Sequence, residues 1–558
     1  MTAAEPAIEA TAGPARRERR VRRGVIVGVA IGAVYAVWLL FVPPSGNFPL
    51  NDDWAYAWSV RRLLDTGQLR ISEWSAVTSV FPVYWGALFC RAAGSFSFAA
   101  LRWSTLMMSV LGCLGVYDFL RECGLPVRSA CLGAVAVAAN PIYLYLSYTF
   151  MSDVFYFAPM VVSLSLYTRG VRRHSARALL LGSVTAGVAY LARQLAITLP
   201  LAVALVLLLR DRRIRWQPVI QATLVPFGVF LWHTLWLKYS HGVPWGFELN
   251  AVHNSVAGLL QPRKPLEIVW RLLVSMAYMG LFTLPVLAAL VASRRQESDR
   301  LPRLTKSFGS WFVVLTAFVA VSVWVTHGPM PYLGNVINRA GMGPINLQGP
   351  KPLVTPTWVF WLVTAFAPLA GAAQATLWTD AVIRFRKPDA AQLLTIASIL
   401  MAALTALIVV LWDEYLIVFL PAGLYLALRL RPITRGGMLA GACVCALMLT
   451  YGCREMADYM AWNSARWVAG RGLVAQGVQP DAIDGGFEWA GWYEFESALP
   501  AAIASGKGGD LFAWTRVNPH GFQLAFAPIA GDVTLGSVPY RGSLLDPGGH
   551  IYILKVPK

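Results

Sequence analysis

The stretch ARRERRVRRGVIVGVAIGAVYAVWLLFV, residues 15–42, decides the fold class. Six arginines (Arg16, Arg17, Arg19, Arg20, Arg22 and Arg23) precede a 19-residue apolar run. A hydrocarbon core of about 30 Å takes roughly 20 apolar residues in a helix, so the run is long enough to span. A secretory leader has an apolar region of about 7–15 residues and then a small-residue cleavage site. This run is longer and no such site follows, which makes it a retained first span. The whole chain agrees: of 558 residues 57% are hydrophobic and 14% charged, and mean hydropathy is +0.54. Soluble globular proteins carry about 25% charged residues. The composition therefore excludes a soluble enzyme, a disordered chain and a fibrous one. Seven Cys and seven His are too few and too scattered for a disulfide framework or a metal cluster.

Further apolar runs give thirteen predicted spans, at 24–42, 98–120, 129–148, 153–168, 177–192, 194–209, 217–237, 267–292, 308–326, 357–383, 391–411, 414–429 and 436–452. The runs 153–168, 177–192 and 194–209 are short and depend on their neighbours. With a cytoplasmic N-terminus, thirteen spans put the N-terminal segment and the loops at 121–128, 169–177, 210–215, 294–306, 384–387 and 429–435 inside. Those segments hold 27 of the 47 Lys and Arg. The net charge of +18 is therefore an orientation signal. A nucleic-acid partner would need the charge on one solvent face beside aromatics. The expected organisation is a cytoplasmic basic N-terminus (1–23), a membrane part (24–452) with a first outer loop at 43–97, and an extracytoplasmic C-terminal α/β domain (453–558). In the C-terminal part apolar runs shorten and acids outnumber bases. FQLAFAPIA and HIYILKVPK read there as strands, and DAIDGGFEWAGWYEF as a strand and a Gly-rich turn. The chain is thus expected to be an all-α polytopic bundle in the cell inner (plasma) membrane, with outer-face interfacial helices.

Carboxylates at a membrane face are costly unless paired, solvated or used. In PLNDDWAYAWSVRRLLDTGQL (49–69) a helix is expected from Asp53 to Gly67, amphipathic and lying flat on the outer leaflet. Asp52 and Asp53 are either a helix cap with a solvated neighbour or a general base with a polar orienting group. In NPIYLYLSYTFMSDVFYF (140–157) Asp153 opens a span among aromatics, as a cap or as a site residue. In LWDEYLIVFLP (411–421) Asp413 and Glu414 occupy another tight outer turn, where capping explains them and a site role stays open. Arg193, in AYLARQLAITLP (189–200), either snorkels to headgroups or holds a phosphate through its planar fork. His233, His241 and His253 lack metal-ligand spacing. The segment 327–356, rich in Gly and Pro, is long enough to cover a site mouth. No Walker-type loop, G-x-S-x-G or H-E-x-x-H occurs.

Taken in order, these motifs resemble the GT-C glycosyltransferases, in the broad bacterial family of protein-mannosyltransferase-like and aminoarabinose-transferase-like enzymes (family 39 and relatives). The basic first span leads to the outer acidic pair of NDDWAYA and to LLDTGQL. An Asn-Pro turn, SDVFYF, ARQLAITLP and DEYLIVFLP then follow. The likeness covers roughly 24–210, with a weaker echo at 411–430. It implies that Asp52 or Asp53 is the catalytic acid of the first outer loop. It also implies that Asp153 lies near the donor or a metal and that Arg193 contacts donor phosphate. The family's Lys-Pro-Pro element is altered here: TSVFPVYWGAL (78–88) keeps Pro82 and lacks the lysine. The implied partners are a polyprenyl-phosphate-linked sugar donor, an extracytoplasmic acceptor (lipid, glycan or protein) and membrane lipids. No cofactor is fixed by the motifs, and a divalent metal stays open. Two rivals remain, a transporter or lipid flippase and a non-catalytic envelope-assembly protein. Repeated halves and mid-membrane charges would mark a transporter.

Overall fold

The computed structural model describes residues 14–210, 215–253, 264–293, 301–383, 397, 411–506, 508–543 and 546–557. Among them eight helices are long and apolar enough to cross a membrane. The pair Val127–Ala138 and Pro141–Tyr148, bent by 59°, counts as a ninth if taken as one span. The bend has a local cause. Pro141 lacks an N–H and breaks the backbone ladder. Asn140 then caps the second piece, its side chain accepting from Ile142 N at 2.9 Å and Tyr143 N at 3.3 Å.

The predicted runs at 24–42, 98–120, 153–168, 217–237, 308–326 and 357–383 coincide with helices of spanning length. Others differ. The run 267–292 divides into Lys264–Phe282 and Leu284–Ala292, with Pro285 at the start of the second helix. The runs 177–192 and 194–209 form the shorter pieces Ala176–Tyr190 and Thr198–Arg210, joined through a 3₁₀ turn at Gln194–Ile197. The run 414–429 is a 3₁₀ segment, Asp413–Phe419, followed by a nine-residue helix, Leu420–Leu428. Nearly all of 391–411, residues 294–300 and 384–387, and the first 13 residues lie outside the described residues, while 301–306 already belong to the helix Leu301–Thr326.

The last predicted run belongs to one 41-residue helix, Arg435–Ala475. At 1.5 Å per residue it is about 60 Å long, roughly twice a hydrocarbon core. The expected boundary at 453 falls inside it. Hydropathy drops at Arg454, Glu455 and Asp458, but no proline interrupts the segment, so the backbone continues helical while its surroundings change.

Small residues bring the bundle helices close. A Cβ on Gly280 would meet Ala370 C at 2.2 Å, so the helices Lys264–Phe282 and Thr357–Ile383 touch backbone to backbone. Leu40, Met107, Trp324 and Leu447 instead face outward from long helices, as lipid contact requires.

Three further segments build a cap at one end of the bundle. The helix Asp53–Thr66 ends at Gly67 in the left-handed conformation, as its sequence predicts. It does not lie free as an interfacial helix, because eight of its fourteen residues are buried. Trp54 sits among Trp74, Phe495 and Trp514, with ring centroids at 6.0, 5.1 and 6.0 Å. Beyond the long helix a four-stranded sheet forms in the order β3-β4-β6-β5, from Ile483–Asp484, Phe522–Ala525, Gly549–Lys555 and Val533–Tyr540. β3 runs parallel to β4, and the other pairs are antiparallel. The segment 327–356 carries a small hairpin, β1 (Ile337–Asn338) with β2 (Gly341–Met342), and docks on the sheet where Phe526 N donates to Gln348 O at 2.8 Å.

Candidate functional site

Asp52 and Asp53 are neighbours in sequence with different surroundings. Asp53 is 1% exposed. Its Oδ1 accepts from Leu50 N at 2.6 Å and its Oδ2 from Phe150 N at 3.3 Å. Burial pushes its pKa well up, while nearby Arg102 and those two N–H donors pull it back. Asp53 therefore ties the loop after the first helix to the turn before Asp153. Asp52 stands at the N-cap position, yet its side chain makes no capping bond. It is half-buried, and its Oδ1 accepts from Trp74 Nε1 at 2.8 Å. Loss of water pushes its pKa up from 3.8 to about 6; Trp74 opposes this, and the carboxylates of Glu488 and Asp153 add to it.

The preceding turn is held from the C-terminal part of the chain. Asn51 adopts φ 54°, and its N–H donates to Glu488 Oε1 at 3.1 Å. Glu488 Oε2 in turn meets Arg466 Nη1 at 2.7 Å, both side chains being fully buried, and accepts from Asn346 Nδ2 at 2.9 Å. One carboxylate thus fixes the first loop, the segment 327–356 and the long helix together beside Asp52.

Asp153 opens the helix Ser152–Arg173 and is buried. Arg193 Nη2 lies 3.0 Å from Asp153 Oδ1, and Arg193 Nε donates to Ser152 Oγ at 2.8 Å. The guanidinium stands 4.9 Å from the ring centroid of Tyr415. Arg193 is therefore drawn inward and does not snorkel. Asp153 Oδ2 is buried with no hydrogen-bond partner. Tyr56, one turn along the first-loop helix, interacts electrostatically with Asp52, Asp153 and Arg193 at once.

Asp413 and Glu414 close the third side. Neither caps its own helix. Asp413 Oδ1 and Oδ2 accept from Val336 N and Ile337 N, both at 2.9 Å, so Asp413 anchors the hairpin of 327–356. Glu414 Oε1 accepts from Asn335 Nδ2 at 2.7 Å. Its Oε2 is buried without a partner, and the residue interacts with Arg193 and Asp153.

The six residues singled out from sequence thus share one end of the bundle. Asp153 and Glu414 group around Arg193, and Asp52 lies within electrostatic reach of Asp153; Asp53 and Asp413 use both oxygens on backbone N–H groups. Four further participants escaped the sequence reading: Trp74, Tyr56, Tyr415 and Glu488. Glu488, a lone acid in the aromatic FEWAGWY, had the same signal that marked Asp153. A second buried pair, Lys351 Nζ to Asp458 Oδ2 at 2.5 Å, clamps the other end of 327–356 to the long helix. Among the described residues no three His, Cys, Asp or Glu side chains are placed to hold a metal ion. His241 Nε2 accepts from Ile71 N at 2.9 Å, and His233 is packed in the core against Trp236. The side chain of His253 is outside the described residues.

A bundle of membrane-length helices with acids gathered about an arginine under a cap defines a polytopic membrane protein with a polar site at one end. Residues 79–236, a little over a quarter of the chain and including Asp153 and Arg193, match the family described as dolichyl-phosphate-mannose-protein mannosyltransferase. That match covers the segment alone and includes two of the residues singled out from the sequence. No curated protein sequence matches the chain. Among solved structures, the chain is similar to the oligosaccharyltransferase AglB of Archaeoglobus fulgidus, in complex with an inhibitory peptide and a dolichol-phosphate. Identity there is 14%, over 91% of this chain and 69% of that one, with a TM-score of 0.47. The apo form of the Archaeoglobus fulgidus oligosaccharyltransferase gives 14%, 90%, 69% and 0.48 in the same order. ArnT from Cupriavidus metallidurans bound to undecaprenyl phosphate gives 12%, 95%, 98% and 0.42.

Proposed function

We propose that the protein is a membrane glycosyltransferase that moves a sugar from a polyprenyl-phosphate donor to an extracytoplasmic acceptor. The observation that carries this reading is the meeting of Asp52, Asp153 and Arg193, from three separate segments, at one end of the bundle. Asp52 is the general base. With a pKa near 6 it is about ten-to-one ionised at pH 7, close to the value that suits proton transfer at that pH. It takes the proton of the acceptor hydroxyl. The acceptor oxygen bonds to the anomeric carbon, the bond from that carbon to the phosphate oxygen breaks, and polyprenyl phosphate leaves with the electron pair. Arg193 meets the charge on the leaving phosphate, and Asp153 with Ser152 fixes the orientation of its fork. Asp53 and Asp413 hold the loops around the site.

The topology proposed with this function has thirteen spans, a cytoplasmic N-terminus and an outer C-terminal part, in the inner membrane. The domain limits proposed are 1–23, 24–452 and 453–558, with the long helix crossing the last of them. The transporter and assembly-protein readings gain no support from acids gathered at one end around a cation. The test is transfer by the Asp52→Asn variant, inserted and folded as wild type. Loss of transfer is expected, and undiminished transfer would overturn the base assignment.

A further inference from the structure

A cavity of about 420 Å³ is lined by none of the residues of the acidic site. Its size suits a small ligand. Asn47, Arg61, Asp65, Phe96, Trp467, Arg471 and Trp492 contribute to its walls. They come from the first loop, its helix, the start of the next span, the long helix and the C-terminal part. Phe96 and Trp492 stack with ring centroids 5.7 Å apart and planes at 14°, and the Arg61 guanidinium lies 5.7 Å from the Trp492 ring centroid. Arg471 lies 5.4 Å from the ring centroid of Trp467 and donates to Asn47 O. Both arginines are exposed. Asp65 pairs with Arg61 at 3.7 Å, which leaves the cavity with a net positive charge. Trp467 is buried, and its indole N–H has no hydrogen-bond partner.

Aromatic faces receive the apolar face of a sugar ring, guanidiniums bind its acid group, and Asp65 and Asn47 can bond its hydroxyls. We infer that this cavity binds an anionic saccharide unit, carrying a carboxylate or phosphate, of the acceptor. The helix Asp53–Thr66 links the two sites: Arg61 lies about 12 Å and Asp65 about 18 Å along it from Asp53. A bound acidic unit would therefore hold an acceptor chain a few sugar rings from Asp52. A phospholipid headgroup fits less well, because Trp467 and Arg471 stand about 48 and 54 Å along the long helix from its start at Arg435, well past a hydrocarbon core of about 30 Å.

The inference rests on the transferase reading only in naming the ligand an acceptor, and binding is measurable without donor. The test is equilibrium dialysis of the full-length protein in nanodiscs against radiolabelled trigalacturonate. Maltotriose serves as the neutral comparison and phosphatidylglycerol vesicles as the lipid comparison. Saturable binding of trigalacturonate is expected, at least tenfold tighter than maltotriose. Arg61→Gln with Arg471→Gln should weaken it at least tenfold with thermal unfolding unchanged, and Trp492→Phe should retain most of it. Asp52→Asn should bind like wild type. No binding, equal affinity for the neutral sugar, an unchanged double variant, or displacement by phosphatidylglycerol alone would each overturn the inference. None of those results touches the base assignment, which is read by transfer.

Discussion

Replacing Asp52 by Asn separates what the site costs the fold from what it gives the chemistry. The pKa of Asp52 is raised from 3.8 to about 6, chiefly by loss of water. At 1.36 kcal/mol per pH unit this is worth up to about 3 kcal/mol. Partial exposure screens the effect, so about 1–3 kcal/mol is expected. A carboxyl whose folded pKa lies above its unfolded value favours the fold when protonated. That contribution is fully present below about pH 4 and is lost as the pH rises through about 6. Asparagine keeps an oxygen for Trp74 Nε1 and carries no charge. The variant should thus be more stable than wild type by about 1–3 kcal/mol at pH 7 and equal to it near pH 4. Its sugar transfer should fall by about 10²–10⁴ as the base is lost. The assays are thermal unfolding in detergent at the two pH values and transfer at pH 7. Equal stabilisation at both pH values would show that Asp52 is not strained by its charge. Retained transfer would show that it is not the base.

For the same reason, wild-type transfer should decline as the pH falls through about 6, and a flat profile from pH 5 to 8 would contradict the assignment. Arg193→Ala should weaken donor binding about 10–100-fold, as loss of a charge-assisted contact implies, with acceptor binding less affected. Because it also leaves Asp153 buried and unpaired, the double variant with Asp153→Asn should recover stability without recovering donor affinity, as read by unfolding and donor titration. Asp413→Ala removes the acceptor of two backbone N–H groups and should speed hydrogen exchange at Val336 and Ile337, with unchanged exchange refuting the anchor. Arg466→Met breaks a fully buried pair and should cost about 3–5 kcal/mol while lowering transfer through the Asn51 turn.

The sequence made the membrane bundle legible because burial in lipid demands long apolar runs, and those runs are local. It also marked the five acids and the arginine, since a charge at a membrane face is conspicuous. It did not separate Asp52 from Asp53. Consecutive residues at a helix start point about 100° apart, and which one faces the opening depends on Leu50 and on Phe150, almost a hundred residues away. Glu488 and Trp74 were hidden because their roles arise from contacts with Asn51 and Asp52 across the fold. β5 was overlooked because Gly536 and Pro539 disguise an edge strand that carries a register shift between Thr534 and Gly536. The long helix outran its predicted end because its second half is buried under the cap, so hydropathy marked a change of surroundings and not a change of backbone.

The central claim is that a sugar leaves a lipid phosphate at the Asp52–Arg193 site. Purified protein in liposomes, supplied with a panel of radiolabelled polyprenyl-phosphate sugars, tests it directly. Label should leave one lipid donor with the wild type and remain on it with Asp52→Asn and with Arg193→Ala. Label that stays on every donor with wild type, or departs equally with the variants, would contradict the account.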